Sequence, residues 1–575
     1  MTAHEALKTY FGYDDFRPLQ AEIVQSVLEG RDTLALMPTG GGKSLCFQVP
    51  TMAMNGLCLV ITPLIALMKD QVENLRQRNI RAAAIYTGMS YEQQKTALDN
   101  CMWGPYHFLY VSPERLESEE FRERLSRLPI CLIAVDEAHC ISQWGYDFRP
   151  SYLKIAEIRE VIRRETKGER REVPILALTA TATPDVVDDI QERLAFREKN
   201  VLRKSFARPN ISYVVRESNK KADEIVHILN RVPGSAIVYV RNRQRTQEIA
   251  AYLNEKGLSA DFYHAGLSSK ERTEKQEAWK IGEKAMRREG ERQGTRVIVA
   301  TNAFGMGIDK PDVRVVIHHD LPDTIEAYFQ EAGRAGRDDK QAFAVLLYDP
   351  SDKTKARKRI ADNYPDEETL HNVYHKTCNY LGVGADSGQG ATFFIDMFDL
   401  CKKMHLPVLT TYSALHLLSQ MGYFSFDEEQ EIQPRIRLRI SRRELEEYRL
   451  NEAQNELLEH LMREYTGIFT DLQYVHKLDD KHQELVALAQ RRIIDYVPRT
   501  KANVLRLTVN RQAQIRIPEE FYKERKNHYA NKLKAMVEYA ENKHYCRSQV
   551  LLSYFGENDA PTCRTCDICR TNSKH

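Results

Sequence analysis

Two short segments carry side chains whose types and spacing suit chemistry on a nucleoside triphosphate. The first, Met37-Pro38-Thr39-Gly40-Gly41-Gly42-Lys43-Ser44, follows an apolar β-rich run and precedes a helical one. In that context Thr39, Gly40, Gly41 and Gly42 let backbone N–H groups close on phosphate oxygens. Lys43 brings charge to the β and γ positions, and the Ser44 hydroxyl can ligate magnesium. The strict phosphate-loop pattern asks for glycine where Met37 stands, and a glycine turn before a helix is often only a connection. The second segment weighs against that plainer reading. Cys131–Val135 reads as a buried strand, and Asp136-Glu137-Ala138-His139 stands at its C-terminal end. Ligands of open α/β sheets gather at that edge. Asp136 would hold the metal and Glu137 would orient and activate an attacking water. Alone, an acidic pair after a strand is more often a helix start. Some ninety residues beyond a phosphate loop, it reads as a magnesium–nucleotide site.

A third segment, Gln330-Glu331-Ala332-Gly333-Arg334-Ala335-Gly336-Arg337, places Arg334 and Arg337 three apart, on one face if helical. By themselves these arginines could form surface salt bridges. With the other two segments they suggest a site assembled when two domains close, because an arginine from another domain stabilises a γ-phosphoryl in transfer. ATP and Mg2+ are the expected ligands. Cys546, Cys563, Cys566 and Cys569 form C-x16-C-x2-C-x2-C, a tetrahedral thiolate set for a closed structural zinc. A redox dithiol is the competing reading, disfavoured by the presence of four thiols, and His544 is expected to be a bystander.

These residues need a scaffold, and the chain supplies its rhythm. Short apolar runs at Thr33–Met37, Leu57–Thr62, His107–Val111, Cys131–Val135 and Ile175–Thr179 alternate with helix-like stretches. The rhythm restarts at Ala236–Val240, Ser259–Tyr263, Arg296–Ala300, Val313–His318 and Ala342–Leu347. Buried parallel strands in two consecutive α/β domains are expected. Gly282–Arg296 reads as a solvated loop, and the basic run Lys353, Lys355, Arg357, Lys358, Arg359 as a helix marking a boundary. From about 365 to 540 the pattern is helical, with two strand-like exceptions. One is Arg435–Ile440, where Arg435, Arg437 and Arg439 alternate with apolar residues and should share one face. The other, Phe424–Phe426, follows a helix at Thr410–Met421.

At 575 residues the chain implies roughly three or four domains. A net charge of +2 does not announce a nucleic-acid partner, so any such surface must come from local clustering. Eleven cysteines, seven of them dispersed, suit reduced thiols rather than a disulfide scaffold. No run approaches the ~20 apolar residues of a membrane span, and Met1 to Tyr10 lack a signal core. A cytoplasmic, nucleoid-associated location with no membrane partner follows.

With these residues assembled, the sequence resembles the superfamily 2 helicases, and within them the RecQ family of DNA helicases. The resemblance covers roughly residues 5–350 and a short C-terminal segment. Phe11 to Gln20 looks like the family's adenine motif, which implies stacking by Tyr13 and hydrogen bonds from Arg17 and Gln20. Thr62-Pro63-Leu64 with Lys69-Asp70-Gln71 is similar to the motif that contacts the tracked strand. Leu178–Ala182 resembles the motif linking hydrolysis to movement, and Thr301 to Asp309 resembles motif V. Ser142 to Pro150 looks like the aromatic-rich loop, in which Trp144, Phe148 and Arg149 would report strand occupancy. A ring there can stack on an unpaired base for ~1–3 kcal/mol, though Trp144 and Phe148 could also simply pack between domains. Tyr146 departs from the family's usual His.

The resemblance implies two tandem RecA-like parallel-sheet domains at 1–205 and 206–350. A helical, winged-helix-like insertion at 351–530 and a zinc subdomain at 531–575 would follow. In typical members that subdomain directly follows the second motor domain, with a winged helix after it. Here the usual downstream winged helix and helical accessory domain are expected to be absent. The helix and basic strands of the insertion could restore duplex contacts as a wing, or the insert could bind protein or act as a spacer. The expected function is a monomeric ATP-dependent helicase moving 3′-to-5′ on single-stranded and forked DNA, in repair or recombination, alongside single-strand-binding or repair proteins. An RNA-dependent ATPase and a nucleotide-gated DNA clamp are the alternatives.

Overall fold

A computed structural model describes residues 1–572 except 39, 64, 87, 88, 90, 143–148, 163, 167, 168, 172, 283–293, 305–309, 433, 446, 447, 449, 466, 471, 472, 476–480, 498 and 499. The chain divides into two units, Met1–Ala356 with Asn527–His575, and Arg357–Lys526.

The first unit contains two parallel sheets. The strands of its N-terminal half are β1 (Thr33–Leu36), β2 (Leu57–Ile61), β3 (Ala82–Ile85), β4 (Phe108–Val111), β5 (Ile130–Val135), a hairpin of β6 (Arg164–Thr166) and β7 (Glu169–Arg171), then β8 (Ile175–Thr179) and β9 (Val201–Arg203). All but the hairpin form one sheet ordered β3-β4-β2-β5-β8-β1-β9, parallel at every junction. Every residue of β1, β2, β4 and β8 is buried, which is why their sequences are continuously apolar rather than alternating. Register fixes the working edge. Leu36 pairs with Thr179 and Ile61 with Val135, so the residues following β1, β2 and β5 emerge side by side.

A second sheet follows, with β10 (Ile211–Glu217), β11 (Ser235–Tyr239), β12 (Ala260–Tyr263), β13 (Val297–Ala300), β14 (Val313–His318) and β15 (Ala342–Tyr348) ordered β10-β15-β14-β11-β13-β12, again all parallel. β3, β9 and β10, like the hairpin β6–β7, lie outside the apolar runs read from the sequence. Ala82-Ala83-Ala84-Ile85 is composed mostly of a helix former, yet the exposed edge of β4 pairs it as a strand. The part of the Gly282–Arg296 stretch at 283–293 lies outside the described residues.

The second unit corrects the expectation of a helical block with two strands. Six strands form two three-stranded antiparallel sheets: β16 (Thr392–Ile395), β17 (Phe424–Ile432), β18 (Arg435–Leu438), β19 (Gln473–Tyr474), β20 (Ile494–Val497) and β21 (Thr500–Leu507). The expected wing, pairing Phe424–Phe426 with the arginine strand, does not form. β17 pairs with β21, and β18 belongs to the other sheet, β19-β18-β20. The order helix Glu367–Tyr380, β16, helices Met397–Met404 and Val408–Gln420, β17, β21, with β21 central, is nevertheless a winged-helix arrangement. Between β17 and β21 the described residues include a separate core of Ile436, Leu438, Leu457, Leu461, Leu485 and Leu488. A strand pairing across some seventy residues leaves no local signature to read.

The arginine alternation holds over Arg435–Leu438, where Ile436 and Leu438 are buried. The strand ends there, so Arg439 lies beyond it. Arg437 opposes Asp495 across the ladder and binds it at 2.5 Å, and Arg439 approaches the same carboxylate at 3.5 Å. That face is therefore partly neutralised. Among the described residues, no helix is long and apolar enough to cross a membrane.

Candidate nucleotide site and cysteine centre

A cavity of about 950 Å³ opens at the C-terminal edge of the first sheet. It gathers Tyr13, Arg17, Gln20, Gly40, Gly42, Lys43, Ser44, Asp136 and Glu137 from the first half with Gln330, Arg334 and Arg337 from the second. Gly41 completes the loop between them. Thr39 lies outside the described residues.

Glycine is favoured at position 42 by its φ of +78°, and a Cβ there would also displace the Gln20 amide, whose Nε2 would stand 2.4 Å away. That amide donates to Gly42 O at 3.0 Å, while Arg17 donates to Gly40 O at 3.1 Å. The two residues expected at the adenine therefore also fasten the phosphate loop. Tyr13, 47% exposed, keeps a ring free for stacking at the cavity mouth.

Lys43 Nζ lies 4.0 Å from Glu137 Oε1, and the other Glu137 oxygen faces His139 Nδ1 at 3.4 Å. His139 Nδ1 in turn meets Thr179 Oγ1 at 2.9 Å, so His139 stands between Glu137 and the end of β8. Glu137 holds a left-handed φ of +47°, a conformation side chains rarely adopt and one that aims its carboxylate back at the loop. Asp136 accepts the Glu137 N–H at 3.0 Å. Burial, then the adjacent Glu137, pushes its carboxyl up to about 6, against the pull of Lys43. Such a buried, charge-crowded carboxylate suits a divalent cation. Thr62, expected at the tracked strand, donates its hydroxyl to Asp136 at 3.5 Å.

Arg334 and Arg337 are not on a helix. The helix Ile325–Ala332 carries Gln330 and stops, and both arginines sit in the turns after it. Glycine ends the helix, and Gly336, at φ +57°, has no room for a Cβ beside Asn210 Nδ2. Arg334 is 6% exposed, and the aliphatic stem of Arg337 lies over Gly40. What fixes this turn was missed in the sequence. Arg208 donates to the carbonyls of Gly333, Ala335 and Gly336 at 3.0–3.1 Å, and Asn210 donates to Gly336 O at 2.7 Å. Their partners are more than a hundred residues away, so no local spacing could reveal them.

The remaining site expectations fall elsewhere. Pro63 is buried at the end of β2, Thr301 is 7% exposed at the end of β13, and the Arg149 N–H donates to Cys140 O. None of the three lines the cavity. Trp144, Tyr146 and Phe148, like 305–309 of the motif-V stretch, lie outside the described residues.

The four C-terminal cysteines converge, with all four sulfurs within 4.8 Å of one another. Zinc–sulfur bonds of about 2.3 Å place tetrahedral sulfurs roughly 3.8 Å apart, so little movement separates this set from a zinc site. Backbone N–H groups of Cys563, Cys566 and Cys569 point at the preceding sulfurs at 3.3–3.4 Å, an arrangement that favours thiolates. His544 is exposed and outside the set. Arg547 and Asp567, each next to a cysteine, pair at 3.0 Å and close the module.

Paired parallel sheets sharing a cleft of this make-up define a two-domain, phosphate-loop protein built to hold a nucleotide. The comparisons agree on both halves. Residues 17–190 match the DEAD/DEAH box helicase family, 220–339 the helicase conserved C-terminal domain, and 506–570 the RecQ zinc-binding family. The chain is 42% identical over 362 residues to the ATP-dependent DNA helicase RecQ of Haemophilus influenzae, covering 63% of this chain and 55% of that protein. It is 40% identical over 353 residues to the probable ATP-dependent DNA helicase RecS of Bacillus subtilis, covering 60% of this chain and 67% of that protein. Among solved structures, the DUF1998 helicase MrfA bound to DNA aligns over 62% of this chain and 50% of that one, at 19% identity and a TM-score of 0.49. The chain belongs to the RecQ family of superfamily 2 helicases. It spans about half the length of the Haemophilus and Pasteurella relatives, at 55% and 53%. Residues 340–505 fall between the matched segments.

Proposed function

We propose that this protein is an ATP-dependent DNA helicase that couples hydrolysis in the inter-domain cavity to 3′-to-5′ movement on single-stranded DNA, opening forked duplexes in repair or recombination. The observation that carries the reading is the convergence of Lys43, Asp136, Glu137, Arg334 and Arg337, drawn from both sheets, on one nucleotide-sized cavity. Tyr13 stacks on the adenine, with Arg17 and Gln20 at its edge. Residues 39–44 wrap the phosphates, and Lys43 neutralises the β and γ oxygens. Ser44 and Asp136 would hold magnesium, which would supply positive charge at the transferring phosphoryl group. Glu137 orients the attacking water and takes its proton, while Arg334 and Arg337 meet the charge developing on the γ oxygens. Contact between His139 and Thr179 supports a link from hydrolysis to β8 and the residues after it. Thr62, Pro63, Thr301 and the segment Trp144, Phe148, Arg149 are assigned to the strand and its coupling.

Domain limits of 1–205, 206–350, 351–530 and 531–575 go with this reading. So do a monomeric state, a cytoplasmic, nucleoid-associated location, and work beside single-strand-binding or repair proteins. The test is strand displacement on 3′-tailed DNA, 5′-tailed DNA and tailed RNA duplexes with ATP. Displacement of the 3′-tailed DNA alone is expected. Equal action on 5′-tailed DNA refutes the polarity, and preference for RNA refutes the substrate.

A further inference from the structure

Outside the cleft, the cysteine module contacts both segments that frame the arginine turn. One segment is 205–210. Glu557 accepts the Ser205 hydroxyl at 2.6 Å and the Phe206 N–H at 2.7 Å. Two residues further on, Arg208 makes its hydrogen bonds to Gly333, Ala335 and Gly336. The other segment is the helix Ile325–Ala332, which runs directly into the turn. Lys532 Nζ lies 2.9 Å from Glu326 Oε1, with the two side chains 7% and 3% exposed. The Tyr539 ring packs on Tyr328 at 5.2 Å, and Phe555 touches Phe206 and Phe329 at 5.3 and 5.1 Å.

The plainer reading is that these contacts only anchor the module. Anchoring is already provided elsewhere, because Asp567 caps the Val215 N–H of edge strand β10 at 3.0 Å while pairing with Arg547. The Lys532 and Glu557 contacts fall instead on the two segments whose next few residues hold Arg334 and Arg337. A buried ion pair is costly unless its geometry is kept, which makes Lys532–Glu326 a device for fixing position.

We propose that Lys532 and Glu557 are positioning residues for Arg334 and Arg337, so that the cysteine module braces the arginine turn for phosphoryl transfer. The inference rests on the role assigned above to those arginines. The experiment uses the full zinc-loaded chain and the variants Lys532→Met, Glu557→Gln and Lys532→Arg. It measures zinc content, DNA-stimulated kcat, KM for ATP, and affinities for ADP and for ADP–aluminium fluoride, which mimics the transferring phosphoryl group. Lys532→Met and Glu557→Gln should each lower kcat about tenfold and weaken ADP–aluminium fluoride in parallel. KM, ADP affinity and zinc content should stay within about twofold, and Lys532→Arg should recover most of the loss. Wild-type kcat and analogue affinity in both variants overturn the proposal, as do losses that track zinc or ADP affinity and are not recovered by Lys532→Arg. Arg337→Ala separates the two levels. If it is inactive while the brace variants are normal, only the brace fails; if it too is normal, the arginine assignment fails.

Discussion

Asp136 shows how the site trades stability for chemistry. Its carboxyl is pushed up to about 6 by burial and then by Glu137, against an unfolded value of ~3.9. Between those two values the folded chain keeps a proton that the unfolded chain has released. Stability contributed by this group therefore falls as pH rises through about 4 to 6, and above that window the bare carboxylate costs on the order of 1–3 kcal/mol. Asp136→Asn should accordingly raise the Tm of the metal-free protein at pH 8 while abolishing hydrolysis. The gain should shrink on acidification and vanish below about pH 4. A Tm gain independent of pH would contradict the assigned cause. At this scale the sequence was legible wherever function is local. The spacing around Lys43 and the pair Asp136–Glu137 announced themselves. Arg208 and Asn210 did not, because what they do is donate to carbonyls brought near only by the fold.

Elements position these residues through a few buried fasteners, and Asp32 is one of them. It precedes β1, accepts the Ile175 N–H that opens β8, and binds Arg159 at 2.9 Å and Arg197 at 3.1 Å. Burial alone would raise its carboxyl, but Arg197, the two backbone N–H groups and Arg159 together hold it below the usual range. Its contribution is thus present above about pH 4 and lost as pH falls further. Asp32→Ala leaves Arg159 buried without its carboxylate and should cost ~3–5 kcal/mol in urea unfolding at pH 7. A loss under about 1 kcal/mol would show the fastener to be ornamental. The strands it joins were readable because parallel strands covered on both faces are uninterrupted apolar runs. β3, made mostly of alanine, was not, and neither was β21, whose β16 partners lie more than a hundred residues earlier. The arginine strand was read correctly as alternating but wrongly as a wing. Alternation reports a buried face, not which strand lies alongside.

For the whole molecule, the pair of parallel sheets and the cysteine module were legible in the sequence, and the second unit only in outline. Its winged-helix order is built from segments far apart in the chain, and its helix Val408–Gln420 carries no Lys or Arg. Composition therefore gave no guide to its surface. The central claim is that Arg337, from the second sheet's domain, completes an ATPase site built on the first. DNA-stimulated ATP turnover in Arg337→Ala, with nucleotide affinity measured alongside, tests it most directly. Turnover lowered by about a hundredfold or more, with ATP affinity nearly unchanged, is expected. Turnover at the wild-type rate, with DNA stimulation intact, would contradict it.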